Sequence, residues 1–382
     1  MFSTLFIIFM KNRITYLLLI PLVVSFSSCA GNKNKEYTPG NDLTLTSIEM
    51  CDYYGECTLI QYGDYDLVID SGAPKDANHV KEVLNDKIKD KTIDLLIVTH
   101  PHGDHFGGII SGALDDLSVS MIVDYGYTYS TSESGTIENS SYVTAYTTWR
   151  DNRVKGGTTY YSVLEALKSI PTVNISKEDD CYLKWLKNDY YVAKGETFPN
   201  SKVPTDNPNT TSVSCYVQYK NWNIILCGDI DSAFGEMSIA SNHDKLFKDK
   251  ERVMLKATHH ASSSSMGSAF LDWAHPELMF VSAAMVDGVC IPNQVTLGTA
   301  DNAQNHPSKS SLKRMTNRTD NIYWNAINGD LTITIDGVND ANVVGAGRNK
   351  NYYKTDGSEA SINEEKNVRI IDSAFYSFFK AK

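Results

Sequence analysis

The segment His100-Pro101-His102-Gly103-Asp104-His105 constrains this chain more than any other. It lies just behind 93–98, a short run, apolar but for Asp94, of the kind that forms a buried strand. Three imidazoles and a carboxylate therefore fall within six residues at the end of one strand. These are side chains that a zinc-like cation accepts, and a catalytic metal keeps one position open for water. A spacing of two lets His100 and His102 point the same way from an extended loop. Asp104 and His105 then turn toward a second position as the chain enters a helix. A solvated loop with chance histidines is the bland alternative, and it does not account for so tight a cluster.

Around this segment the pattern alternates between strands and helices. Runs at 43–50 and 58–69, broken by Tyr53-Tyr54-Gly55, predict a hairpin that ends at Asp70-Ser71-Gly72. Apolar spacing at Val80, Val83, Leu84 and Ile88 predicts a surface helix over 75–90. A helical pattern follows Gly107 and Gly108, and 119–124 reads as a strand. The stretch 125–200 is long, polar and aromatic, with Tyr125, Tyr127, Tyr129, Tyr142, Tyr146, Trp149, Tyr160 and Tyr161. It reads as a lid or binding loop whose aromatics stack on a ligand, or equally as an insertion whose aromatics pack onto the core. Strands at 212–219, 222–226, 252–257 and 278–283 then alternate with helices near 232–248, 266–274 and 308–316. A final hairpin is expected in 321–337, and the apolar end of the tail, 368–379, as a docking strand or helix. Hairpins in each half with helices between them suggest two sheets stacked face to face, helices outside.

With these motifs in place, the chain resembles the metallo-β-lactamase fold, a four-layer α/β sandwich (αββα) with a two-metal site between its sheets. His-x-His-x-Asp-His behind an apolar strand is that fold's signature. Leu226-Cys227-Gly228-Asp229 looks like its strand ending in a metal-bridging aspartate. Ile69-Asp70-Ser71-Gly72 is similar to its early Asp-x-Gly turn. Leu255-Lys256-Ala257-Thr258-His259-His260-Ala261-Ser262 and Asn305-His306-Pro307 resemble elements of one branch, which contains the soluble domain of the ComEC competence proteins and the pneumococcal phosphorylcholine esterase. Ala261 and Asn305 stand where that branch has glycine. The resemblance covers roughly 43–337.

Carried over, the resemblance implies one metal held by His100, His102 and Asp229, and a second by Asp104, His105, Asp229 and one of the pair His259–His260. His260 is favoured as the ligand, with His259 as a substrate-facing or supporting group. His306 faces the substrate oxyanion, which gives Asp104, His259 and His306 catalytic roles. The β-lactamases and thioester hydrolases of the fold add a third imidazole from the interval after the motif, but this chain has no histidine between His105 and His243. Two divalent ions, zinc first and manganese as the alternative, then suit a phosphodiester substrate. A lactonase or β-lactamase, or a catalytically idle surface-binding lipoprotein, are the competing readings. Lys309, Lys313 and Arg314 either add positive field near a phosphate or form a solvated helix face.

Hydrophobic residues are 42% and charged residues 21% of the 382, ordinary globular values that exclude disordered, collagen-like and coiled-coil chains. A net charge of −11 argues against nucleic acid as a habitual partner. After Lys11 and Arg13, the apolar run 14–26 is short for a bilayer span and fits a signal segment. Ser27-Ser28-Cys29 resembles a bacterial lipoprotein signal with Cys29 as the lipidated residue; an ordinary secretory signal is the alternative. The expected organisation is a signal segment over 1–29, a tether over 30–41, a hydrolase domain over 42–340 with an aromatic insertion near 125–200, and an extension over 341–382. The expected location is the cell envelope outside the cytoplasm, with a lipid anchor and no transmembrane channel. Cys215 and Cys227, in strand-like runs, read as buried thiols.

Overall fold

A computed structural model of the protein describes residues 42–50, 54–129, 138–176, 180–244, 246–247, 251–284, 306–347, 352–353, 359–360 and 367–373. The signal segment with Cys29, the tether, Cys51, Cys290, Asn305 and residues 374–382 lie outside them. In the first part of the chain the strands are β1 (Leu43–Ser47), β2 (Thr58–Tyr62), β3 (Tyr65–Ile69), β4 (Thr92–Val98), β5 (Ser118–Asp124), β6 (Thr128–Tyr129) and β7 (Thr159–Ser162). Then come β8 (Thr172–Asn174), β9 (Cys181–Trp185), β10 (Thr197–Phe198), β11 (Cys215–Tyr219) and β12 (Trp222–Leu226). The last are β13 (Arg252–Lys256), β14 (Leu278–Val281), β15 (Ile322–Trp324), β16 (Leu331–Ile335) and β17 (Asn342–Gly345).

Eight strands form one sheet in the order β17-β16-β1-β2-β3-β4-β5-β7, and seven form another in the order β15-β14-β13-β12-β11-β9-β8. Strands β3, β4, β5 and β7 are parallel to one another, as are β12, β13, β14 and β15. Side chains alternate across each strand, and β13 shows the consequence. Met254 joins the core that also holds Leu45, Leu67, Leu96 and Phe280, whereas Val253 and Leu255 join a second cluster with Phe270, Leu271, Leu312 and Met315. Full burial of each such side chain contributes about 1.5–3 kcal/mol. The result is a mixed α/β sandwich of two sheets with helices outside, as the pattern predicts.

Helices α1 (Ala77–Lys87), α2 (Gly103–Ile110), α3 (Glu138–Lys155) and α4 (Val163–Ser169) belong to the first half of the chain. Helix α1 buries Ala77, Val80 and Leu84, an i, i+3, i+7 stripe. Ser162 and Glu165 close a capping box at the start of α4. Helices α5 (Gly235–Asn242), α6 (Ser268–Ala274) and α7 (Lys309–Thr316) follow, with the single turn α8 (Asn325–Asn328) behind β15.

Several elements depart from expectation. The run 58–69 is two strands, because Gly63 takes a positive φ of 59° and turns the chain. Helix α2 begins before Gly107 and Gly108 rather than after them. A Cβ on Gly108 would lie 2.0 Å from the Ser71 carbonyl oxygen, so glycine is what lets the helix seat on that turn. Residues 321–337 are no hairpin: β15 closes the second sheet, α8 intervenes, and β16 pairs with β1 in the first. The stretch 125–200 is no loop either, since it provides β7 to one sheet and β8 and β9 to the other. Its Tyr125, Tyr127 and Tyr146 are buried, and Tyr142, Trp149, Tyr160 and Tyr161 pack against the core, the second of the two readings above. In the tail, β17 extends the first sheet, and Ile370 is buried against the second sheet's outer cluster. Cys215 and Cys227 are buried free thiols.

Candidate metal centre

The carboxyl ends of parallel strands from both sheets meet at one place, where α/β sheets commonly bind ligands. From the first sheet, β3 ends in Asp70 and β4 in Thr99 and His100; α2 starts from His102 and carries Asp104 and His105 in its first turn. From the second, β12 ends at Cys227-Gly228-Asp229 and β13 leads into Thr258-His259-His260. Glycine is required at 228, where φ is 54° and a Cβ would sit 2.9 Å from that of Thr99.

The ligand-type atoms converge closely. His105 Nε2 and His260 Nε2 are 3.3 Å apart, and each is 3.2 Å from Asp229 Oδ2. His260 Nε2 is 3.6 Å from Asp104 Oδ2, and His100 Nε2 is 3.0 Å from His102 Nδ1. Ligand atoms of His100, His105 and Asp229 all lie within 4.8 Å of one another, as do those of Asp104, His105 and His260. The six residues expected to hold metal thus stand together, with His105 and Asp229 near the middle. Of the histidine pair, His260 reaches into the cluster. His259 stands at its rim, 20% exposed, its Nε2 3.9 Å from Asp229 Oδ2. Buried His306 adjoins that rim, with its ring 5.2 Å from His259 and 4.6 Å from Tyr54.

A layer of supporting bonds orients the imidazoles. Asp70 Oδ2 lies 2.7 Å from His105 Nδ1 and accepts from Thr99 Oγ1 at 2.7 Å, while its Oδ1 accepts from the Thr99 amide. The Ser282 carbonyl oxygen lies 2.7 Å from His260 Nδ1, so this nitrogen carries the proton and Nε2 is left to face the cluster. His259 is pinned by Asn209 Nδ2 at 3.2 Å from its Nε2 and by Ser262 Oγ at 3.0 Å from its Nδ1.

The electrostatics follow from burial and from the carboxylates of Asp70, Asp104 and Asp229. Burial opposes charge on His105 and His260, but Asp229 and other carboxylates outweigh it. His105 is held well above the usual histidine range, and His260 is pushed up to about 9. Burial and neighbouring imidazoles keep His100 well below that range, and burial likewise lowers His102, so both keep free lone pairs. Burial also pushes His259 down to about 4. Asp104 and Asp229 are held below the carboxylate range by the histidines, against the effect of burial. Such a nest of anionic oxygens and imidazole nitrogens suits a divalent cation.

Sequence reading missed several participants. Asp70 stood out only as part of a turn, and Asn209 and Tyr54 carried no signal. Lys256 and Glu56, both fully buried and ion-paired, carried none either. Arg314, by contrast, faces no pocket: it donates to the carbonyls of Ser263, Ser265 and Met266 and ties down the loop behind the histidine pair. Lys309 and Lys313 are exposed.

The sequence family described as the Metallo-beta-lactamase superfamily matches residues 52–111, the stretch that contains Asp70 and the histidine motif. The matched stretch contains His100, His102, Asp104 and His105, while Asp229 and His260 lie beyond it. No curated protein matches the chain. Among solved structures, the metallo-beta-lactamase fold protein YhfI from Bacillus subtilis is 11% identical, with 74% of this chain and 95% of that one covered, at a TM-score of 0.39. The short form of human tRNase Z is 13% identical, covering 63% and 92%, at 0.35. A diphosphatase of the PhnP family is 11% identical, covering 63% and 86%, at 0.33. Among the described residues, no helix is long and apolar enough to cross a membrane.

Proposed function

We propose that this protein is a metal-dependent hydrolase of phosphodiesters, of the ComEC-like type, held outside the cytoplasm by a lipid on Cys29. The observation that carries the reading is the convergence of His105 Nε2, His260 Nε2 and Asp229 Oδ2 within 3.3 Å where the two sheets meet. His100, His102 and Asp229 would hold one divalent ion, and Asp104, His105, Asp229 and His260 the other. When bound, such ions supply an acidified water and a clamp for developing negative charge. Zinc and manganese both suit the donor set.

The chain's own residues account for the rest. His100 and His102, neutral through burial, are ready to ligate without first losing a proton. Asp70 and the Ser282 carbonyl fix the ring orientations of His105 and His260, which limits reorganisation on binding. His259, neutral at pH 7, is positioned at the rim to accept or pass a proton. His306 and Tyr54 form a wall against which a substrate is oriented. With no imidazole from the interval between His105 and His243, a coordination position stays open for a doubly ligating anion such as a phosphodiester.

The test is metal content by plasma mass spectrometry together with turnover of bis-(p-nitrophenyl) phosphate. About two equivalents of Zn or Mn, with Asp104→Ala and His260→Ala losing metal and at least 100-fold in turnover, is the expected result. Two metals with nitrocefin or lactone turnover and no phosphodiesterase activity would replace the substrate class. Protein that takes up neither Zn²⁺ nor Mn²⁺ would sink the enzyme reading.

A further inference from the structure

Lys256 is the last residue of β13, and alternation turns its side chain inward, on the same face as Met254 and toward the first sheet. A fully buried lysine is rare unless paired. Here the ammonium stands among three oxygens: it is ion-paired with Glu56, itself fully buried; it donates to the Gly228 carbonyl at 3.1 Å; and it stands 3.7 Å from Asp229 Oδ1. At 3.7 Å the contact with Asp229 Oδ1 is electrostatic, beyond hydrogen-bond reach. The two oxygens of Asp229 therefore face different cations. Oδ2 looks at His105 and His260, and Oδ1 looks back at Lys256. Glu56 in turn lies within ligand distance of Asp70 and His105, so without Lys256 it would be one more carboxylate open to a metal.

We infer that Lys256, clamped by Glu56, is a positioning residue that holds Asp229 as a one-oxygen ligand and keeps Glu56 out of the metal set. This rests on the metal-site reading above. The pair adds no net charge, so its contribution is geometric: a fixed internal cation behind Asp229 sets which oxygen is presented, and a rotated Asp229 would chelate one ion instead of serving two.

The test replaces both charges at once, Glu56→Gln with Lys256→Met, so that no lone charge is left buried. Apo protein is titrated with Zn²⁺ and with Mn²⁺ in competition with a chromophoric chelator, and folding is followed by circular dichroism. The expected result is a folded variant that binds at least one ion tenfold or more weakly than wild type. Should the methionine variant fail to fold, Glu56→Gln with Lys256→Gln, whose amides can bond to each other, carries the same comparison. Either folded variant binding two ions as tightly as wild type, even with lowered thermal stability, would overturn the inference and leave the metal site standing. Wild type that binds neither ion would overturn the metal site, and the inference with it.

Discussion

His259, His260 and Ala261 occupy the left-handed region in succession, with φ of 45°, 52° and 60°. Each non-glycine residue held there costs roughly 1–2 kcal/mol. The strain aims His260 into the cluster while leaving His259 at its rim, as strained backbone at functional sites often does. Glycine would adopt this conformation without strain, so Ala261 bears a cost here. Ala261→Gly is expected to stabilise the protein by about 1 kcal/mol and raise its melting temperature by roughly 2 °C, with metal content unchanged. Calorimetry beside a metal assay checks this; a lowered melting temperature would show that the left-handed turn is not strained.

At the scale of elements, α5 reaches the site through one side chain. Glu236 is buried and accepts from the Met266 and Gly267 amides at 2.6 and 2.7 Å and from Thr258 Oγ1 at 2.5 Å. It thereby joins α5 to the strand end that carries the histidine pair. Burial pushes its carboxyl up to about 7, from an ordinary 4.5, against those three bonds. The folded protein therefore retains a proton between these values that the unfolded chain has lost. The resulting stability is complete below about 4.5 and disappears as pH rises through about 7. Urea denaturation of wild type and Glu236→Gln from pH 5 to pH 8 should show wild type losing more stability over that interval. Parallel pH profiles would refute the assignment.

Elements of this kind were legible where periodicity and local chemistry agree, as in α1 and β4. They were illegible where a distant partner decides. Gly107 and Gly108 look like helix breakers until Pro74 and Ser71 are seen pressed against them. The proposed ligands at 100–105 were legible because their spacing is local. Asp70, Asn209 and the Lys256–Glu56 pair were not, because their roles arise only when the two sheets meet.

Across the whole molecule, the centre sits on the seam between the sheets, and its ligands span His100 to His260. Metal should therefore behave as a brace between halves. At an ion concentration 100 times its dissociation constant, binding to the folded state alone adds about 2.7 kcal/mol per site. Stripping with a chelator is expected to lower the melting temperature by several degrees, and adding back Zn²⁺ or Mn²⁺ to restore it. A scan unmoved by either treatment would mean that the site does not bridge the sheets.

The pairing of β1 with β16 has a consequence for synthesis. Leu43 lies opposite Ile335, so a strand made near the start must wait for one made near the end. Until residue 335 leaves the ribosome, β1 is protected on one side only, by β2, and its other edge presents unpaired backbone to any neighbouring strand. A nascent chain halted after His306 would already contain all six proposed ligands yet could not close the sheet from which four of them extend. Chaperone dependence and stop-codon sensitivity should thus concentrate in the codons for residues 307–335, after those for the proposed ligands.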